Sequence, residues 1–451
     1  MSNDMLPDDV LLEIFDFFVR EARRIQGWQT LVHVCRRWRR IVFGSPRRLN
    51  LRLVCSRQTP AMDALDIWPP LPLFIDCWER GEGMDNIVAV LERSDRVCNI
   101  ELAYPGRSDL DKLSAAMQVP FPNLTHLLLR SNGKTVSALP DSFLGGSAPC
   151  LEYLWLEGIP FPGLPKLLLS ATNLGSLRLN IPHSGYILPE AIVTALSTLT
   201  RLERLWLLFE SPQSRPDTEH QHPPPPTRSV LPNLEWFWFK GDSEYLGVVV
   251  AHIDAPRLFC LDTTLFNDIV FDTPQLTQFI SRTPTMEALE KAYVTFDGDS
   301  AAVELSSLTY GRYEKLKVRI PCRELDWQVS SMEQVCNSCL PLLPTLDLHI
   351  DGNRHYRQLW LGNVESAPWL RLLHPFTSTK NLYLSEEIAQ CIAPALQELV
   401  GVRATQVLPA LQNIFLEESQ RSGPVQARIQ QFVTMRRATN HPIAVSYQPK
   451  L

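Results

Sequence analysis

The stretch LEYLWLEGIPFPGLPKLLLSATNLGSLRLN, residues 151–180, contains one pattern twice: L-x-x-L-x-L begins at Leu151 and again at Leu174. The last two leucines of each copy are separated by one residue. That spacing is the period of a β-strand with one buried face. The stretch therefore predicts two strands that turn their leucines toward a common core.

The same step recurs outside this stretch. It begins at Val97, Leu124, Leu151, Leu174, Leu202, Leu234 and, in a weaker copy, Leu258. The gaps are 27, 27, 23, 28, 32 and 24 residues, close to the period of about 20–29 in leucine-rich repeats. The longest gap contains a proline run at residues 220–226, which we interpret as an inserted loop. We predict an α/β fold, an irregular leucine-rich-repeat solenoid with parallel strands on its concave face. An ordinary α/β domain with coincidental leucines is the alternative.

Repeats are weaker after about residue 270. Residues 316–320 and 346–350 alternate like strands, and the step resumes as Leu396-x-x-Leu399 and as Leu411-x-x-Ile414-x-Leu416. A helix over residues 425–437 is expected to cap the exposed end of the solenoid, within a terminal segment at 424–451.

Before the repeats, the period is helical. The run LPDDVLLEIFDFF, residues 6–18, predicts a helix with Pro7 in its first turn and with an apolar face formed by Val10, Leu11, Ile14, Phe15 and Phe18. A second helix is predicted over residues 28–42, with an apolar stripe formed by Leu31, Val34, Cys35, Trp38 and Ile41. Helices this short cannot build a sufficient core alone. Their apolar faces must pack on the following domain, on a partner, or on both.

These N-terminal residues resemble a known family. LPDDVLLEIFDFF followed by LVHVCRRWRRIVFGSPRRLNL is similar to an F-box, whose members share a leading Leu-Pro, an apolar helix, a Val-Cys-x-x-Trp helix and a Ser-Pro. Residues 19–28 depart from the family, being longer and more basic than the usual turn. The resemblance implies a helical F-box domain at residues 1–50 that binds the Skp-type adaptor of a cullin-based SCF ubiquitin ligase. The implied adaptor contacts are Leu6, Pro7, Leu11, Leu12, Ile14, Phe15, Leu31, Val34, Cys35 and Trp38.

The resemblance extends along most of the chain. WPPLPLFIDCWERG, DNIVAVLERSDRV and VLPAL are similar to landmarks of the expanded F-box group of mushroom-forming (agaricomycete) fungi. It implies a fungal protein in which an F-box precedes an irregular leucine-rich-repeat solenoid at residues 51–451. It implies no particular substrate.

Residues between the leucines of each step are predicted to face the concave surface. Exposed tryptophan mixed with arginine is typical of interface hot spots, so we predict a target-binding face that includes Tyr153, Trp155, Arg178, Arg204, Trp206, Trp236, Trp238 and Lys240. Two alternatives stay open. A loop or terminal segment covers the tryptophans, or they stack on each other as cross-strand pairs.

The sequence predicts neither an enzyme nor a cofactor or metal site. It lacks an H-E-x-x-H or G-x-S-x-G motif. The single Cys336-x-x-Cys339 pair has the spacing of only half a zinc site, and we interpret its members as core or surface cysteines. The net charge of -6 gives no overall attraction to nucleic acid. Nine arginines between Arg20 and Arg48 are interpreted as a solvated helix face opposite an acidic adaptor.

Cysteine usage and the N-terminus predict an intracellular protein, cytoplasmic or nuclear. The ten cysteines are scattered among apolar neighbours, and Met1 is followed by polar residues and not by a secretory pattern. The predicted function is substrate recognition in an SCF-type ligase. The alternative is a leucine-rich binding scaffold whose F-box-like helices act as a cap or in a ligase-independent complex.

Overall fold

A computed structural model gives the backbone over most of the chain. It describes residues 6–21, 27–57, 65, 68–78, 83–131, 137–212, 228–266, 274–309, 312–339, 345–352, 365–399 and 403–448. The chain divides into two compact units, Met1–Tyr186 and Ile187–Leu451. The predicted proline-rich loop at residues 220–226 lies outside the described residues.

The first unit begins with helices α1 (Asp8–Glu21), α2 (Gly27–Val32) and α3 (Arg36–Gly44). The carbonyl of Pro7 accepts the amide of Leu11 at 3.1 Å, which starts α1. Asp8 and Asp9 occupy the first turn, where the helix dipole favours carboxylates. This confirms the predicted first helix. The small core of the segment consists of Leu11, Phe15, Trp28, Leu31, Ile41 and Val42.

The prediction of one helix over residues 28–42 is wrong, because the helix is interrupted at Cys35. This residue is extended (φ −160°, ψ 168°), and its sulfur accepts the amide of Trp38 at 3.5 Å as the N-cap of α3. The amides of His33 and Val34 bond to carbonyls three residues earlier, at 3.3 Å, and so end α2 in a tight turn. The apolar stripe continues across the break, and for that reason spacing alone did not reveal it.

The rest of the first unit is a parallel sheet whose strands pair in chain order. The strands are β1 (Leu53–Cys55), β2 (Leu73–Cys77), β3 (Val97–Ala103), β4 (His126–Arg130), β5 (Tyr153–Glu157) and β6 (Ser176–Ile181). Three helices lie between these strands in the chain: α4 (Met84–Leu91), α5 (Arg107–Ala116) and α6 (Leu164–Leu168). A 3₁₀ turn at Phe143–Gly146 precedes β5, and another at His183–Gly185 follows β6.

Leucines of successive steps lie side by side in this sheet. Leu127 is in register with Leu154, and Leu154 with Leu177, and all are buried. At two of these steps an asparagine just before the first leucine bonds back to the preceding repeat. Asn123 donates to the carbonyl of Asp95 at 2.6 Å, and Asn173 donates to that of Pro149 at 2.9 Å. These side chains satisfy loop carbonyls that the ladder leaves unbonded.

In the second unit the strands follow the order β7-β9-β11-β14-β13-β12-β15-β16-β17-β18, and β8 and β10 form a small separate pair. The strands are β7 (Arg204–Phe209), β8 (Ser229–Val230), β9 (Trp236–Gly241), β10 (Ile253–Asp254), β11 (Cys260–Leu265), β12 (Lys291–Phe296), β13 (Ser300–Thr309), β14 (Arg312–Pro321), β15 (Asp347–Gly352), β16 (Asn381–Leu384), β17 (Asn413–Glu417) and β18 (Ala444–Gln448). The helices are α7 (Pro189–Leu196), α8 (Ser243–His252), α9 (Pro274–Ser281), α10 (Leu325–Cys339), α11 (Ser366–Leu373), α12 (Glu386–Gln397), α13 (Arg403–Gln406) and α14 (Pro424–Ala438), with 3₁₀ turns at Pro284–Ala288 and Glu418–Gln420.

An all-parallel arrangement was the wrong prediction for the middle of this sheet. Strand β13 is antiparallel to both β12 and β14, so an antiparallel meander interrupts the repeats. On either side the parallel pattern continues, since β14 is parallel to β11 and β12 is parallel to β15. Alternation at residues 316–320 shows a strand but carries no information on its direction.

The C-terminal end also differs from the prediction. Leu396 lies in helix α12 and starts no strand, because L-x-x-L fits a helical turn as well as a repeat step. Strand β16 was missed because buried Thr379 occupies the first position of its step. The predicted terminal helix exists as α14, but it is followed by β18, which pairs with β17. Among the described residues, therefore, strand β18 and not helix α14 is the last element at this edge of the sheet.

Candidate binding surfaces

The N-terminal helices expose several large apolar side chains. Val10, Ile14 and Phe17 are spaced at i, i+4 and i+7 and share one face of α1. Ile14 is 47% exposed, Phe17 68% and Val34 51%. Together these exposed residues form what we call the helical surface: Leu6, Pro7, Val10, Ile14, Phe17, Phe18, Val34 and Cys35.

Arg37 holds the two halves of this surface together. Its guanidinium lies 2.6 Å from the carboxylate of Asp8 and donates to the carbonyl of Leu6 at 2.5 Å. Arg40 is 3.5 Å from the same carboxylate. An exposed ion pair of this kind contributes about 0–1 kcal/mol, but its geometry fixes the start of α1 beside the start of α3. The Leu-Pro and Val-Cys parts of the sequence motif thus meet in space.

The ten predicted adaptor contacts divide into three groups. Leu6, Pro7, Ile14, Val34 and Cys35 are exposed, and Leu12 and Trp38 are half-buried. Leu11, Phe15 and Leu31 are buried in the segment's own core, with the Phe15 ring 4.7 Å from that of Trp38. These three side chains already have intramolecular neighbours, and their role in adaptor contact stays a prediction. Sequence reasoning missed Phe17, although its spacing from Val10 and Ile14 placed it on their face.

The opposite side of the helical segment packs on the chain that follows it. Trp28 is buried, and its indole N–H donates to the carbonyl of Arg52 at 3.1 Å. Its ring lies 5.2 Å from that of Trp68 in an edge-to-face contact. The helices therefore have one face packed on the residues that follow them, including Arg52 and Trp68, and another face that is exposed.

In both units one side of the strands is buried. The other side, where the residues between the leucines lie, we call the open face. All eight predicted target-binding residues are on an open face. In the first unit, Trp155 lies between Arg178, 4.0 Å from its ring, and Arg130, at 4.9 Å. Arg130 also donates twice to Glu157, at 2.9 and 3.1 Å, and this hydrogen bonding raises the pKa of the guanidinium. Sequence reasoning missed Arg130.

Three tryptophans of the second unit stack on each other on its open face. The rings of Trp206 and Trp238 are parallel and 4.4 Å apart, and Trp236 lies 5.1 Å from Trp238. Phe259 meets Trp236 edge-on at 4.6 Å. We call these four residues the tryptophan stack. All of its tryptophans are half-buried. The tryptophans thus lie on the open face, as predicted, and they also stack on each other, as the alternative prediction had it.

A second aromatic stack lies on the same open face. Tyr293, His349, Tyr383 and Phe415 occupy matching positions on successive strands, with ring centroids 4.5, 4.1 and 4.4 Å apart. We call these four residues the tyrosine stack. Burial lowers the pKa of His349, with Lys291 acting in the same direction and Asp347 and Asp351 against it. The prediction omitted this row, although each member occupies the same place in its step as Trp155.

Charged residues lie between the two stacks. Lys315 is 3.2 Å from Glu304 and 3.7 Å from Asp262, and Lys317 is 3.2 Å from Glu304. Burial raises the pKa of Asp262, while the nearby Lys315, Lys317 and Arg319 oppose this. These pairs form a network on half-buried strands, where charges interact more strongly than in bulk water.

No group of three or more His, Cys, Asp or Glu residues suited to a metal ion occurs among the described residues. Of the described helices, none has the length and apolar character that a membrane span requires. Cys336 is buried in α10.

The sequence matches no family model and no curated protein. Among solved structures, the chain is similar to the crystal structure of the leucine-rich repeat-containing protein LegL7 from Legionella pneumophila. The sequence identity is 11% and the TM-score 0.28, over 85% of this chain and 97% of that one. The surfaces described above therefore rest on this chain's own residues.

Proposed function

We propose that the chain is the substrate-recognition subunit of an SCF-type ubiquitin ligase, fungal in origin. The helical surface binds a Skp-type adaptor and, through it, a cullin-based ligase. The open faces of the repeat strands bind a target protein. This chain positions the target, while other subunits carry out the transfer of ubiquitin, so it is not itself an enzyme.

One observation supports this proposal above the others: the exposed apolar helical surface, held in one piece by Arg37. Clustered large apolar side chains on a soluble protein mark interaction sites more often than scattered ones do. The cluster contains the exposed members of the F-box-like motif, including Leu6, Ile14 and Val34. Binding would remove these side chains from water, and each interface hot spot of this kind is worth about 2 kcal/mol or more.

The test is a binding titration of the full chain with a purified Skp-type adaptor. We expect Ile14→Asp and Val34→Asp, combined, to weaken binding by about 100-fold or more, because each buries a carboxylate in an apolar interface. Leu169→Asp and Val119→Asp, combined, are the matched control, since these residues are 45% and 47% exposed elsewhere in the first unit. Failure of the wild type to bind, or an equal loss in the control, contradicts the proposal.

A second candidate function has its own support. The burial of Trp28 and its bond to the carbonyl of Arg52 suit a helical cap that closes the first strands. On that reading the chain is a leucine-rich binding scaffold, acting without a ligase. A correctly folded wild type that binds a target but no adaptor favours this candidate.

A further inference from the structure

Between the tryptophan stack and the tyrosine stack, the open face carries a row of one hydroxyl and two cations. Lys240 on β9 is in register with Thr264 on β11, and Thr264 with Arg319 on β14. Neighbouring strands are about 4.8 Å apart, so the two cationic residues start about 10 Å from each other across the hydroxyl. We call these three residues the cationic row.

The cationic row differs from the charged residues beside it. Lys315 and Lys317 are neutralised by Asp262 and Glu304 at 3.2–3.7 Å. Lys240 and Arg319 have no ion pair with any carboxylate of the described residues. Lys240 lies only over the ring of Phe266, at 5.5 Å. The row therefore holds two positive charges that form no direct ion pair among the described residues, although Arg319 acts on the carboxylate of Asp262 through space.

Small residues occupy the strand positions between the two cations and on the far side of Arg319. Thr264 lies between the two cations, and buried Ala302 is the neighbour of Arg319 on the other side. Both are small residues. A lysine and an arginine on either side of a hydroxyl can supply several hydrogen-bond donors to one carboxylate, and such charge-assisted bonds are about twice as strong as neutral ones.

We infer that the cationic row binds carboxylate side chains of an acidic segment in the target protein. This inference deepens the proposed function by stating the chemistry of the target. The row is positive on a chain whose formal net charge is -6, so it attracts an acidic segment locally while most of the surface does not. The aromatic edges on either side of the row give the same segment apolar contacts.

A protein segment fits this face better than a nucleic acid does. Proteins bind single-stranded nucleic acids along a basic groove, where the bases stack on exposed faces of aromatic side chains. Here the rings cover each other, with Trp206 and Trp238 4.4 Å apart and His349 and Tyr383 4.1 Å apart. Inner rings of the stacks thus offer edges and no free face. Two cations also make a short site and not a continuous basic track.

The probe is a short fluorescein-labelled peptide with a central run of glutamates between phenylalanines, measured by fluorescence anisotropy with the full chain. We expect Lys240→Gln and Arg319→Gln each to weaken binding by about tenfold, the loss of one charge-assisted hydrogen bond to a carboxylate. Lys291→Gln is the matched control, because it removes an exposed lysine from β12 in the same unit. Replacing the peptide's glutamates by glutamines should weaken binding to the wild type in the same way.

Several results would overturn the inference. These are no binding of the glutamate peptide to folded wild type, equal binding of the glutamine peptide, an equal loss in Lys291→Gln, or tighter binding of an oligothymidylate than of the peptide. The adaptor titration is independent of this assay. Peptide binding without adaptor binding contradicts the ligase role alone, and adaptor binding without peptide binding contradicts the cationic row alone.

Discussion

The helical surface and the open face of the second unit both present apolar residues to solvent, but in different states. On α1, Ile14 is 47% exposed and Phe17 is 68% exposed. On the open face, Trp206, Trp238 and Tyr383 are half-covered by neighbouring rings. The first surface has apolar area still to bury, whereas the second has already buried part of it within the chain.

This difference shows where binding energy and specificity come from on each surface. A partner on the helical surface gains mainly from the hydrophobic effect, which is roughly proportional to the apolar area removed from water. A partner on the open face gains less from the rings and more from Lys240 and Arg319 between them. Adaptor binding should therefore tolerate salt, while target binding should weaken as salt screens the cations.

The largest expected effect separates two faces of one helix. Phe15→Ala should lower the free energy of unfolding by about 3–5 kcal/mol, because it leaves a cavity in a core where Phe15 is 0% exposed. Phe17→Ala should change stability by less than about 0.5 kcal/mol and weaken adaptor binding instead. Urea denaturation and adaptor titration of both variants measure this. Equal stability losses would show that the helix has no exposed face.

An intermediate effect is expected in the tryptophan stack. Trp238→Ala removes ring contacts to Trp206 and Trp236, and each aromatic pair is worth about 0.5–1.5 kcal/mol beyond its buried area. Trp238→Phe should retain part of this stability. The control Trp327→Ala removes an exposed indole and should change stability by less than about 0.5 kcal/mol. Thermal unfolding compares the variants. A loss of stability in Trp327→Ala as large as that in Trp238→Ala would contradict the role of stacking.

The smallest effect concerns pH and the tyrosine stack. Because burial lowers the pKa of His349 in the folded chain, the unfolded chain binds a proton more readily. Stability should be fully present at high pH and decrease as pH falls through about 6.5, the ordinary histidine value. His349→Phe keeps a ring between Tyr293 and Tyr383 and should remove this part of the decrease. Denaturation at about pH 7.5 and 5.5 tests it, and an unchanged pH dependence in the variant contradicts it.

Much of the fold could be predicted because leucine spacing reports burial directly. Steps that begin at Leu124, Leu151 and Leu174 each became a strand with a buried leucine row. Spacing carries no strand direction, so the antiparallel β13 was missed. It also cannot separate a repeat from a helical turn, and for this reason Leu396 was assigned to the wrong element.

The candidate surfaces were predictable in part for the same reason. Alternation placed Trp206 and Trp238 on the open face correctly, but stacking depends on rotamers that spacing does not fix. On α1 the apolar stripe is wider than the buried face. Sequence alone therefore did not show that Phe15 lies inside and Ile14 outside. Which cations form a direct ion pair with a carboxylate, as Lys315 does with Glu304, depends on contacts between strands that are distant in the sequence.

The helical surface contains its own reporter, since Cys35 is exposed and lies in the predicted adaptor contact. Buried Cys55 and Cys260, whose pKa values burial raises to about 11 and about 12, should react slowly with a maleimide. The most direct test is the rate of Cys35 alkylation, followed by mass spectrometry, with and without the Skp-type adaptor. The account predicts that bound adaptor protects Cys35 and leaves the half-buried Cys150 unchanged. Alkylation of Cys35 at an unchanged rate in the presence of saturating adaptor would contradict it.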